Sequence, residues 1–164
     1  VGEARDGLVI GEITLAGVRK SVGHARGFVR AAVLGHLVPD DAGAADAGLH
    51  DTVLDDMIMV ASETVANAIT HTASGLEGGE VTVVLAAGDG VYRLEVVDDG
   101  SAGGLPHVKD EVGAETGRGM RIVDALATRW GFRAEGHRTV VWAEFPAPAV
   151  AGRGRARPPF SDRG

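Results

Sequence analysis

The sequence predicts a chain of the α+β class, and three observations carry that prediction. Two segments repeat apolar residues at three- and four-residue steps, and a third such segment follows later in the chain. Between and around them lie short runs of alternating or β-branched residues. Joints rich in Gly and Asp fall where those runs must turn.

Taken in order, residues 1–7 are small or charged without a period and read as a flexible N-terminus. Residues 8–16 (LVIGEITLA) read as an edge strand broken by Gly11. Ser21 is placed to cap a helix over residues 21–38, with Val22, Ala25, Phe28 or Val29, Ala32, Val33 and Leu37 on its apolar side and Pro39 ending it. An acidic, small-residue linker occupies residues 40–50. A helix follows over residues 51–72, with Asp51 as its cap and Asp55 and Asp56 in the first turns, where the helix dipole favours negative charge. Its apolar stripe is Leu54, Ile58, Ala61, Val65, Ala68 and Ile69. A second stripe carries Glu63, Asn67 and His71, each one turn apart.

After a loop at residues 73–79, residues 80–87 and 91–98 read as two strands joined by Gly88, Asp89 and Gly90. Tyr92, Leu94, Val96 and Asp98 share one face of the second strand. A carboxylate ending an apolar row must find donors, so Asp98 is either a strand-end cap or a ligand contact. Residues 100–117 hold no apolar period and read as a functional lid. Gly117, Arg118 and Gly119 then open a helix over residues 120–130, a pattern that lets an anion approach first-turn N–H groups. Residues 131–135 and 139–145 form a closing pair of strands. The domain is expected over residues 8–146, and residues 147–164, rich in Arg, Pro and Gly, are expected to form a disordered basic tail.

Composition narrows the function classes. A chain of 164 residues with 45% hydrophobic and 24% charged residues fits one globular domain. The net charge of −7 argues against a nonspecific grip on nucleic acid or an anionic membrane. With no cysteine, disulfide and thiolate chemistry are excluded, and a reducing, cytoplasmic setting is expected. No apolar run approaches a membrane span and no leader pattern opens the chain, so no membrane partner is expected. The six histidines lack paired spacing, which leaves transition-metal catalysis without support. No G-x-G-x-x-G follows the first strand and no P-loop Lys follows Gly119, so dinucleotide and P-loop folds find no footing.

Glu63-x-x-x-Asn67-x-x-x-His71 on a helix, Asp98-Asp99-Gly100 at a strand end and Gly117-Arg118-Gly119 opening a helix form an ordered series. With that series the chain resembles the anti-sigma-factor and serine-protein-kinase branch of the gyrase, heat-shock chaperone, histidine kinase and mismatch-repair ATPases, over about residues 16–145. Each motif alone is weak, and a solvated face is the plain alternative for Glu63 and Asn67. The three in order weigh against it.

The resemblance implies a Bergerat-type ATP-binding fold, a two-layer sandwich with a mixed, mainly antiparallel sheet and helices on one face. It implies ATP and Mg²⁺ as cofactors. Asn67 would be the Mg²⁺ ligand, since that ion takes hard oxygen donors. Glu63 would be the general base. Asp98 would receive the adenine amino group, with Gly100 allowing close approach. Gly117, Arg118, Gly119 and the backbone at Met120 would hold phosphates, and Thr139 would lie near the adenine. Asp99 reads as a solvent-facing turn residue, and His71 stays open between structural and chemical roles.

Two positions depart from the family's pattern. Ala102 stands where a second glycine is usual, and Glu115 where kinase members carry an arginine near the terminal phosphate. Arg118 or Arg121 would have to supply that contact. The implied partners are a sigma factor and an antagonist of the anti-sigma factor, with no direct nucleic acid contact and with room for a homodimer. Two functions therefore stand side by side: a serine/threonine protein kinase acting on the antagonist, and a catalytically silent ATP-binding switch that works by partner binding. A free-standing histidine-kinase catalytic domain is the weaker third, because no helical hairpin bearing a phosphoacceptor histidine precedes the site.

Overall fold

A computed structural model describes residues 7–36, 44–101 and 114–147, with only the backbone path for 44–50 and 114–119. The expectations for residues 1–6, for the end of the first helix at 37–38, for most of the lid, for Ala102 and for the basic tail beyond Ala147 lie outside the described residues. Among the described residues, the chain is α+β. Strand β1 (Leu8–Ala16) is followed by helices α1 (Ser21–His36) and α2 (Ala44–His71). A short 3₁₀ turn (Ala73–Gly75) leads into β2 (Glu80–Gly88) and β3 (Val91–Asp98). Helix α3 (Ala114–Leu126) precedes β4 (Arg129–Glu135) and β5 (Arg138–Pro146).

The strands form one sheet in the order β1-β2-β3-β5-β4, so β1 is an edge strand as its sequence suggests. Every pairing in it is antiparallel, where the resemblance allowed for a mixed sheet. Asp89 and Gly90, both at positive φ, make the two-residue turn that aligns Gly88 with Val91. One face of the sheet carries Val81, Val83, Leu85, Tyr92, Leu94, Val96, Ala143 and Phe145, all buried beneath the helices. Alternation along β2 and β3 places these side chains on that face.

Helix α2 lies over the middle of this face, between α1 and α3. Its expected stripe is buried at Leu54, Ile58, Ala61, Val65 and Ala68, but Val53, Met57, Val60 and Thr64 are buried too. A helix flanked by two others buries more than the single face a surface helix shows. The helix also starts at Ala44 instead of Asp51, which corrects both the linker and the cap. Asp55 and Asp56 are therefore mid-helical and gain nothing from the dipole at the helix start. In α1, Ser21 is the first helical residue, and its hydroxyl donates to the Ala16 carbonyl at 2.6 Å, tying the helix to the end of β1.

The opposite face of the sheet holds a charged lattice. Glu95, nearly buried, accepts hydrogen bonds from Arg93 at 3.2 Å and Arg133 at 3.1 Å. Arg93 also reaches Glu144 at 3.3 Å and stacks over Trp142, its guanidinium carbon 4.3 Å from the indole centre. Burial pulls the Arg133 guanidinium pKa down, but the hydrogen bonds and charges of Glu95 and Glu135 outweigh it and hold it above its ordinary value. A concavity of about 200 Å³ on this face, lined by Val84, Ala86, Asp89, Arg93 and Glu144 among others, is on the far side of the sheet from Asn67 and Asp98.

Candidate functional site

One end of the sheet gathers the last residues of β3, the start of β5 and the C-terminal end of α2. Asp98 closes β3 and is 3% exposed, on the helix-covered face as the alternation requires. Its Oδ1 accepts the Gly100 N–H at 2.7 Å, so the carboxylate caps the strand end. Gly100 has φ +80°, and a Cβ there would collide with the His137 carbonyl in the β4–β5 turn. Only glycine serves at such a position without strain. Thr139 is the direct cross-strand partner of Asp98, which puts the two side chains on one face, with Thr139 half-buried.

Asn67 and Glu63 stand on the flank of α2, both partly buried. Asn67 lies four residues before the helix end at His71, about 6 Å along the axis. Its side-chain nitrogen is buried and has no hydrogen-bond partner among the described residues. Buried polar groups in folded proteins are almost always paired, so an orphaned amide on the flank of α2 fits a ligand. Nitrogen and oxygen of an amide are assigned from their partners. The group can thus donate to an oxyanion or, turned over, offer its oxygen to a hard cation such as Mg²⁺. Among the described residues, no three His, Asp or Glu side chains come together as a ready metal cage. A divalent ion here would lean on Asn67, phosphate oxygens and water. His71 is exposed in the last turn of α2.

The glycine motif is placed differently from its sequence reading. Helix α3 begins at Ala114, so Gly117, Arg118 and Gly119 lie within its first turns and do not precede it. The unpaired first-turn N–H groups then belong to residues 114–117, and Gly117 is the one motif glycine among them. Packing of Val123 and Met120 against the core offsets the poor helix propensity of these glycines. The helix also ends at Leu126. Trp130 is a strand residue in β4, its indole N–H donating to Asp124 at 2.9 Å.

Asp99 is the residue that sequence reasoning misplaced. It is half-buried, not a solvent-facing turn residue: Oδ2 accepts the Glu80 N–H at 2.8 Å, and its own N–H donates to Ser74 Oγ at 2.9 Å. Ser74 is fully buried just beyond α2. Nothing local in the sequence announces this pairing, because Ser74 and Asp99 are 25 residues apart and meet only when α2 docks on the sheet.

A family model described as a histidine kinase-like ATPase domain matches residues 36–145. Among solved structures, the chain is similar to the RsbU and RsbW domains of Rv1364c from Mycobacterium tuberculosis. The TM-score is 0.54 at 18% identity, covering 83% of this chain and 31% of that one. The chain thus spans about a third of that solved chain's length, and the likeness is one of fold. A search of curated proteins returns no match.

Proposed function

We propose a function from the premise that this chain belongs to the histidine kinase-like ATPase domain family: it binds ATP with Mg²⁺ and regulates transcription in the manner of an anti-sigma factor. In this reading it phosphorylates a serine of an antagonist protein and binds a sigma factor, in the cytoplasm. Two features support the branch: the ordered motif series and the likeness of fold to a structure containing an RsbW domain. No described helix is long and apolar enough to cross a membrane, which is compatible with this setting. The observation that supports nucleotide binding most directly is the buried amide nitrogen of Asn67 on the flank of α2, unpartnered among the described residues.

Each residue would then have one task. Asp98, held by the Gly100 N–H, accepts the adenine amino group, and Thr139 borders the same base. The first-turn amides of α3, including that of Gly117, face the phosphates, aided by the positive end of the helix dipole, while Arg118 supplies charge. Gly119 and Met120 continue that helix. Mg²⁺, when bound, neutralises charge on the phosphates. Glu63 takes the proton of the substrate serine as its oxygen bonds to the terminal phosphorus and the bond to the bridging oxygen breaks, leaving ADP.

Labelled ATP and candidate antagonist proteins test the reading. Phosphoserine should form with the native chain, and Glu63→Gln should lose the label yet still bind nucleotide. Transfer that survives Glu63→Gln would remove Glu63 as the base. The silent switch is favoured by Glu115, which stands where kinase members carry an arginine. ATP remaining intact for hours beside a bound partner would establish that alternative instead.

A further inference from the structure

The turn after β3 is tied to both of its neighbours by hydrogen bonds. Ala73 N–H donates to the Gly100 carbonyl at 2.7 Å, joining the chain just past α2 to the turn that follows Asp98. Beside it, Ser74 Oγ accepts the Asp99 N–H at 2.9 Å. Ser74 is itself aimed by Thr72, whose hydroxyl accepts the Ser74 N–H at 3.1 Å and donates to the Ala68 carbonyl at 2.6 Å in the last turn of α2. On the sheet side, the Asp99 carboxylate accepts the Glu80 N–H at 2.8 Å where β2 begins. A continuous set of bonds therefore runs from the end of α2 through Ser74 and Asp99 to two neighbouring strands.

We propose that Ser74 and Asp99 are positioning residues that set the spacing between the two halves of the nucleotide site, the Asn67 flank of α2 and the Asp98 end of β3. The proposal rests on the ATP-binding reading above. Helix α2 meets the sheet through apolar side chains such as Met57, Val60 and Val65, and such packing resists separation but is not directional. Hydrogen bonds are directional, so the clasp fixes where along the sheet the helix stops. A ligand held at both ends gains over its parts only when the two subsites stand at the span the ligand has. Loosening the clasp weakens the bridging ligand while leaving a ligand of one half unaffected.

The test uses the full chain and its Ser74→Ala, Asp99→Ala and Asp99→Asn variants. Affinities for Mg-ATP and for adenosine are read by NMR titration, with thermal midpoints measured alongside. Ser74→Ala and Asp99→Ala each raise the Kd for ATP about tenfold, the loss of one well-placed hydrogen bond, with the adenosine Kd unchanged. Asp99→Asn, whose amide oxygen can accept the same Glu80 N–H, keeps native ATP affinity. Should Ser74→Ala fail to fold, the Asp99 pair decides. Unchanged ATP affinity in the alanine variants, or an equal loss for adenosine, overturns the clasp as a positioning device. A native chain that binds no ATP would refute the nucleotide reading, a result distinct from ATP binding that ignores both residues.

Discussion

Asp98 and Thr139 face each other across the ends of β3 and β5, on the sheet face that carries the helices. Asp98 is buried there with one oxygen already committed to the Gly100 N–H. The same pairing tests its role toward adenine. Asp98→Asn keeps an oxygen for the Gly100 N–H but replaces the other acceptor with a donor, which opposes the amino group of the base. ATP affinity should fall by about ten- to a hundredfold. Native affinity in that variant would place the base elsewhere.

Gly100 makes a prediction about stability. Its left-handed φ and its approach to the His137 carbonyl leave no room for a side chain. Gly100→Ala should destabilise the fold by roughly 1–3 kcal/mol, seen as a lower denaturation midpoint. A variant of native stability would mean that the β4–β5 turn moves aside freely.

Asp56 gives a pH-dependent prediction. Burial, with a further contribution from neighbouring Asp55, raises its pKa above the ordinary value. For an acid with a raised folded-state pKa, the favourable contribution is full below the unfolded pKa and is lost as pH rises through the folded one. Asp56→Asn should therefore stabilise the chain at neutral pH, and the difference should vanish when both states hold Asp56 protonated. Denaturant titrations at neutral and acidic pH measure it. An equal effect at both would show that the carboxylate's charge is not the cause.

Much of this architecture is legible from the chain itself. The alternation of residues 91–98 places Asp98 on the buried face, and Asp89-Gly90 announces its turn by the positive φ it needs. What escapes is set by tertiary packing. The first turns of α2 lie in an Ala- and Gly-rich stretch that reads as linker, and its Asp residues look like a cap. Gly117 and Gly119 read as the joint that precedes the helix, because single-residue propensity carries no knowledge of the core beneath α3. Ser74 and Asp99 have no periodicity to betray them, since their bond depends on the docking of α2 against β3.

Asn67 offers the most direct measurement. Its side-chain nitrogen has no partner within the described structure, so Asn67→Ala should leave the thermal midpoint nearly unchanged. Calorimetric titration of ATP with and without Mg²⁺ into the native chain should show binding that Mg²⁺ strengthens, and Asn67→Ala should remove most of that Mg²⁺-dependent gain. A native chain that takes up no heat of ATP binding under either condition would contradict the account.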